Sequence, residues 1–70
     1  MRTHRYRITI SGGLNESERE MFEDFDIQSS ATDTVLTGEL DQAALYGALN
    51  RIRWLGRELV EVRRLSDDAS

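Results

Sequence analysis

Apolar and polar residues alternate without a break over residues 5–10, RYRITI. Tyr6, Ile8 and Ile10 fall on one side of this stretch, and the Arg and Thr residues between them fall on the other. A period of two residues is typical of a β-strand with one buried face. The glycines of residues 11–13 (Ser-Gly-Gly) then predict a sharp turn, because glycine adopts backbone angles that other residues avoid.

A helical spacing of apolar residues follows over residues 14–25, where they lie at the first, eighth, ninth and twelfth positions. Asn15 stands near the start of this stretch, and Glu18 follows three residues later. An Asn and a Glu at this spacing can exchange hydrogen bonds with each other's backbone N–H groups, as in a capping box. We therefore predict a short first helix that begins after Asn15 and ends near Asp24.

The next segment predicts a β-hairpin. Residues 26–30 (DIQSS) are short and polar, which is typical of a strand at the edge of a sheet. Residues 31–33 (Ala-Thr-Asp) form the predicted turn, and residues 34–40 are rich in Thr, Val and Leu. We expect the two strands to pair across this turn.

The second helix carries the clearest signals in the chain. Asp41 is a suitable N-cap, because its carboxylate can accept hydrogen bonds from the free amides of the first turn. Gly56 is suited to end the helix, since the residue after a helix often has a positive φ. One apolar stripe lies between these two residues at helical spacing. It consists of Ala44, Leu45, Ala48, Leu49, Ile52 and Leu55.

Residues 58–65 return to β-forming residues and predict a last strand, with Val60 and Val62 pointing inward. Residues 66–70 (SDDAS) form a polar tail, and residues 1–4 form a polar lead-in. We therefore expect a single domain over residues 1–70, with its ordered part at about residues 4–65.

The element order βαββαβ predicts an α+β fold, the ferredoxin-like sandwich. Its four-stranded antiparallel sheet has the strand order 4-1-3-2, and both helices cover the same face. The other face is left uncovered. The candidate residues of this open sheet face are Arg5, Arg7, Thr37, Glu61 and Arg63.

Chain length restricts how such a fold can be stabilised. The chain has 70 residues, 39% of them hydrophobic, with no Cys and a single His. A core of this size is marginal, and small domains often gain stability from disulfides, metals or association. Absence of Cys excludes disulfides and Cys-ligated zinc. We therefore expect self-association, most simply as a homodimer.

Charge is unevenly distributed along the chain. Residues 16–41 contain nine acids and one Arg, whereas the remainder contains eight Arg and four acids. Such asymmetry can mark a surface that binds polyanions. The net charge of −4 favours a simpler interpretation, in which acidic and basic segments are neighbours within the fold or between copies.

Candidate chemistry is sparse. Catalysis needs a nucleophile, a base and an orienting group brought together, and His4 is the only imidazole. The carboxylates between Glu16 and Asp26 lack the regular spacing of a calcium loop. The turn before the first helix lacks a phosphate-binding pattern and is followed by acids. We therefore predict a protein that is not an enzyme and has neither a metal nor a cofactor.

The stretch TVLTGELDQAALYGALNRIRWLG, followed by VRRL, resembles a widespread group of short, uncharacterised bacterial proteins. Those proteins typically show a TVLTG strand, a DQAAL-type helix start, an LLxRIRxLG helix end and a final strand. The resemblance implies a compact small domain and supplies no catalytic or ligand-binding residues. Tyr46 and Trp54 depart from that pattern, in which His and an acidic residue are common.

The outward side of the second helix is a candidate interface, because Tyr, Trp and Arg are enriched at protein–protein contacts. Trp54 has two interpretations: it lies on the surface, or it folds back onto the last strand and completes the core. Gly47 lowers helix stability and favours a close approach by another backbone. The candidate interface residues are Tyr46, Asn50, Arg53, Trp54 and Arg57.

Three functions are compatible with these surfaces. The first is contact with another protein chain, as a homodimer in the cytoplasm, with no membrane-spanning segment. The second is sensing of a small molecule, by analogy with the ACT-like domains that share this topology. The third is nucleic-acid binding through the open sheet face, which is disfavoured because that face lacks aromatic residues for base stacking.

Overall fold

The structure, a computed structural model, describes residues 2–65. Its element order is βαββαβ. The strands are β1 (His4–Ser11), β2 (Asp26–Ser29), β3 (Asp33–Leu40) and β4 (Leu59–Arg64), and the helices are α1 (Glu16–Glu20) and α2 (Gln42–Trp54). The predicted tail, residues 66–70, lies outside the described residues.

The four strands form one antiparallel sheet with the order β2-β3-β1-β4, which is 4-1-3-2 when read from the β4 edge. β1 is therefore a central strand, and its even-numbered residues face the core as the alternation predicts. Ile8 and Ile10 are fully buried, and Tyr6 packs against the core from its border. His4 is the first residue of β1, which corrects its assignment to the lead-in.

α1 is correctly capped but shorter than predicted. The side chain of Asn15 accepts a hydrogen bond from the Glu18 amide at 2.8 Å, and the Glu18 carboxylate accepts one from the Asn15 amide at 2.9 Å. The helix ends at Glu20, before the predicted end near Asp24. A helix that continued to Asp24 would place the acids at positions 23 and 24 at its negative C-terminal end, which disfavours the longer helix.

The residues after α1 form turns that bring two aromatic rings into the core. Phe22 and Phe25 are buried, with their ring centroids 5.9 Å apart in an edge-to-face arrangement. Phe25 packs against the backbone of β3 at Gly38, where a Cβ atom would lie only 3.2 Å from the ring. This close approach explains a glycine in the interior of a strand.

α2 begins and ends as the sequence predicts. The Asp41 carboxylate accepts a hydrogen bond from the Ala44 amide at 2.7 Å. At the other end Gly56 has φ +74°, and the amides of Gly56 and Arg57 donate to the carbonyls of Arg53 and Ile52. This pair of bonds is a Schellman motif, and it turns the chain sharply toward β4.

One hydrophobic core lies between the helices and the sheet. α2 contributes Leu45, Ala48 and Ile52 as buried residues, with Leu49 and Leu55 partly buried against them. Ala44 is exposed, which corrects its assignment to the buried stripe. The remaining buried apolar residues are Ile8, Ile10, Leu14, Phe22, Phe25, Leu36 and Leu40.

β4 contributes nothing to this buried set. We predicted that Val60 and Val62 point inward. Val62 lies opposite the buried Ile8 on the inward face but is 37% exposed, and Val60 is 55% exposed. A β-bulge causes the difference at Val60: Thr9 pairs with Glu61 and Ile10 pairs with Leu59, so Val60 has no opposite residue in β1.

Candidate functional site: the β4 edge and the groove beside it

β4 is an edge strand with an apolar surface. Val62 and Leu59 pair with the buried Ile8 and Ile10, so they lie on the helix side of the sheet. They are nevertheless 37% and 45% exposed, because the helix layer of the described residues stops short of this strand. Together with Val60, they form a run of three exposed apolar side chains within four residues.

A groove separates α2 from β4. It has a volume of about 500 Å³ and a lining that is mainly apolar. Ile52 forms its floor, Leu59 forms its β4 side, and Asn50 and Arg53 border it on the helix. The full lining is Leu49, Asn50, Ile52, Arg53, Gly56, Arg57 and Leu59.

The structure divides the four candidate interface residues that lie within α2 into three groups. Asn50 and Arg53 are exposed and line the groove. Tyr46 is 56% exposed, and its hydroxyl accepts a hydrogen bond from the Gln42 amide group at 3.2 Å. Trp54 is 84% exposed, so it does not fold back to complete the core.

Arg57 differs from the other candidates because it is tied to α1. Its guanidinium donates to the Glu18 carboxylate at 2.7 Å, and both side chains are partly buried. The hydrogen bond from the Asn15 amide and the one from Arg57 hold the pKa of Glu18 below its ordinary value of 4.5. The pair fastens the chain just before β4 to the start of α1.

Gly47 lies in the middle of α2 without a neighbour that requires a glycine. A Cβ atom there would meet nothing within 4 Å among the residues described. The close backbone approach that we expected is therefore not supplied by this part of the chain. Gly47 leaves space on the outer side of α2, where Tyr46 and Trp54 are exposed.

The open sheet face carries charged and hydroxyl side chains. Arg7 lies in β1 with Thr37 opposite it in β3 and Arg63 opposite it in β4. Arg5 is paired with Glu39, and Glu61 is paired with Thr9. Arg5 and Arg7 lie two positions apart on this face and Arg63 lies opposite Arg7, so the three Arg residues are neighbours, and Glu39 and Glu61 border them. No aromatic side chain lies on the described part of this face, so it offers no platform for stacking bases.

A second groove, of about 480 Å³, lies at the other end of α2. It has more polar surface than the first, and it brings cationic and aromatic side chains together. His4 and Tyr6 contact each other edge-to-face in its wall, with ring centroids 6.5 Å apart. Its lining is Arg2, His4, Tyr6, Gln42, Leu45, Tyr46 and Arg64.

Within residues 2–65, no cluster of three or more His, Cys, Asp or Glu side chains is arranged to hold a metal ion. In the same range, no helix is long and apolar enough to cross a membrane.

Sequence reasoning missed Leu59 and the bulge at Val60. The pair Leu59-Val60 could have indicated the bulge. Val60, Glu61 and Val62 alternate between apolar and polar, and a second apolar residue directly before Val60 interrupts that alternation. Gly38 was also missed. A glycine inside a β-rich stretch indicates a bulge or a close contact, and here it is the contact with Phe25.

The fold and this surface define a small α+β domain whose sheet has one uncovered apolar edge. Residues 5–63 match the model of a family described as a domain of unknown function, DUF8691, and the chain belongs to that family. No curated protein and no solved structure matches the chain significantly.

Proposed function

We propose that this protein acts by contact between protein chains, as a homodimer that associates through β4 and the adjoining groove. It is not an enzyme in this proposal. The observation that carries it is the exposure of Leu59, Val60 and Val62 on an edge strand, beside the apolar groove below α2. A soluble monomer gains nothing from such a surface, because an exposed apolar strand edge is a template for pairing with another chain.

The size of the domain supports the same proposal. Ten buried apolar residues form the core within residues 2–65, and a core of this size lies at the lower limit for a domain that folds without disulfides or metals. Covering β4 would extend this core, since Leu59 and Val62 already lie on its side of the sheet. Association would then add stability at the β4 border of the sheet, which the helices do not cover.

The broader expectations belong to this proposal as well. We infer that the βαββαβ order and the four-stranded antiparallel sheet place the domain among ferredoxin-like sandwiches. The cytoplasmic location and the bacterial grouping implied by the TVLTG resemblance stay predictions.

Sedimentation velocity over a range of about 10 µM to about 1 mM tests the proposal, because small interfaces give weak dimers. We expect the wild-type chain to shift from monomer to dimer within this range. Val62→Lys places a charge on the β4 edge and should weaken association at least about ten-fold, as lysine does on natural edge strands. Gln28→Lys is the matched control on the β2 edge and should associate like the wild type. A monomer at all concentrations would overturn the proposal.

A second candidate function is binding of a small anionic molecule in the groove formed by Arg2, His4, Tyr6, Tyr46 and Arg64. The grouping of two Arg side chains with three aromatic rings favours it. A thermal-shift screen with amino acids and nucleotides tests it, because a ligand that binds the folded state raises the melting temperature. No shift at millimolar ligand would remove this candidate.

A further inference from the structure

The two charged residues on the open-face side of β4 differ in sign and are separated by one position. Glu61 and Arg63 are both exposed, and they flank Val62. Within residues 2–65 neither side chain makes an ion pair. Arg63 instead lies opposite Arg7 of β1, and like charges on directly opposite residues are destabilising.

The backbone of β4 has hydrogen-bonding groups that face away from the sheet. The Leu65 amide donates to the Arg5 carbonyl of β1 at 2.8 Å, and Tyr6 lies opposite Arg64. In antiparallel pairing, alternate residues bond to the same neighbour, so Glu61 and Arg63 bond to β1. The N–H and C=O groups of Val62 and Arg64 therefore point toward the open edge.

We propose that two copies of this chain pair antiparallel along β4 about a twofold axis at Val62, so that Glu61 of each copy faces Arg63 of the other. This inference rests on the proposed homodimer and specifies its geometry. The two four-stranded sheets would become one continuous sheet of eight strands. Such an interface is isologous, because the same strand supplies both sides.

Backbone geometry and charge select this register together. Val62 points its N–H and C=O groups outward, so at the axis the two Val62 residues can exchange both hydrogen bonds. Glu61 and Arg63 of the partner subunit then form the closely spaced pairs on either side of the axis. Moving the axis by one residue places two Glu61 side chains opposite each other in one direction, and two Arg63 side chains in the other.

On the helix side, the position at the axis is apolar, and Arg64, which lies opposite Tyr6, borders the contact. Val62 would lie directly beside Val62 of the partner subunit, on the face of the sheet that carries the core. The grooves below α2 of the two copies would border this contact from both sides, because Leu59 lies at the start of each β4. Partial exposure of Leu59 and Val62 is thereby explained as surface that the second copy covers.

Two single charge reversals test the register. In Glu61→Arg the pairs across the axis become Arg with Arg, and in Arg63→Glu they become Glu with Glu. Each variant alone should self-associate about ten-fold more weakly than the wild type, since two favourable cross-strand pairs become repulsive. Glu23→Arg makes the same charge change in an exposed turn away from β4 and should associate like the wild type.

Mixing the two variants provides the decisive result. An E61R chain and an R63E chain have only opposite charges across the proposed axis, so a mixture should form heterodimers that native mass spectrometry separates from homodimers by mass. The double variant E61R/R63E should again form homodimers, at about the same protein concentration as the wild type does. Circular dichroism checks that each variant is folded.

The results of these experiments show whether the register alone is wrong or whether the proposed homodimer is wrong as well. The register would be overturned if the wild type forms dimers, both charge-reversal variants associate as strongly as the wild type, and their mixture shows no preference for the heterodimer. In that case Val62→Lys still tests whether the β4 edge is the interface. A wild-type chain that stays monomeric would overturn both proposals. Weakened single variants with a preferred heterodimer would support both.

Discussion

The sheet has two edges, and they differ in every property that controls edge-to-edge association. β2 has four residues, three of which are exposed polar side chains, and it packs its single Ile27 against the core. β4 has six residues, and all three of its apolar side chains are exposed. Short, polar edge strands resist pairing with other chains, whereas longer apolar ones promote it. One edge is therefore protected, and the other is available.

The core repeats the same asymmetry. Beside β2, Phe25 lies so close to Gly38 that even a methyl group would crowd the ring. Beside β4, a groove of about 500 Å³ separates Leu59 from α2. The difference follows from the helix layer, since the turns after α1 bring Phe22 and Phe25 over one side of the sheet. Packing is complete where the chain covers itself and incomplete where we propose that a second copy contacts it.

Making the β2 edge apolar like the β4 edge should produce the largest change in oligomeric state. In the double variant Asp26→Val and Gln28→Val, both edges would be apolar, and each chain could pair on two sides. We expect open-ended oligomers instead of a closed dimer, because contacts on two edges do not close. Static light scattering measures this, and the single variant Gln28→Lys is the control. If the double variant has the same mass distribution as the wild type, the polar side chains of β2 do not prevent association at that edge.

Truncating one residue beside each edge compares the two halves of the core. Phe25→Ala should lower the free energy of unfolding by about 3–5 kcal/mol, because it leaves a cavity in a tightly packed region. Leu59→Ala should cost about 1 kcal/mol or less in the monomer, since its side chain is already half exposed. Urea unfolding at low protein concentration measures both values. Equal losses would contradict the packing difference.

The Glu18–Arg57 pair predicts how pH affects the segment that leads into β4. The pKa of Glu18 is lowered in the folded protein, so its contribution to stability is present above its ordinary pKa of 4.5 and is lost as pH falls below that value. Glu18→Gln should therefore be less stable than the wild type at neutral pH, with a smaller gap at pH about 3. Urea titrations at both pH values give the comparison. A gap that does not depend on pH would show that the carboxylate charge is not involved.

Gly47→Ala should have the smallest effect on stability and association. It distinguishes dimerisation through β4 from dimerisation through the outer side of α2. A methyl group at this position meets nothing within 4 Å, so the variant should gain about 1 kcal/mol from the better helix propensity of Ala. Dimerisation through β4 should be unchanged, whereas close packing of α2 against another backbone would be weakened. Thermal unfolding and sedimentation of the variant distinguish these results.

The sequence predicted the features that depend on local physics. Alternation located β1, and the capping residues Asn15, Asp41 and Gly56 located three helix ends, because their hydrogen bonds join residues only a few positions apart. The element order and the sheet order followed from the sequence of these elements.

Features that depend on distant contacts could not be predicted. The bulge at Val60 exists only because β4 pairs with β1, some fifty positions away in the chain. α1 ends early because Phe22 and Phe25 leave helical geometry to reach the core. Arg57 was assigned to the candidate interface on helical spacing alone, and its bond to Glu18 joins two residues that are 39 positions apart in the chain.

Amide hydrogen exchange at increasing protein concentration tests whether β4 is the contact between copies. We predict that the Val62 and Arg64 amides, which point to the open edge of β4, exchange fast in dilute protein and slow down as the dimer forms. The amide of Ile27 on the β2 edge should keep its rate at every concentration. Val62 and Arg64 amides that exchange equally fast at all concentrations, in a sample that contains dimers, would contradict the claim that β4 is the contact between copies.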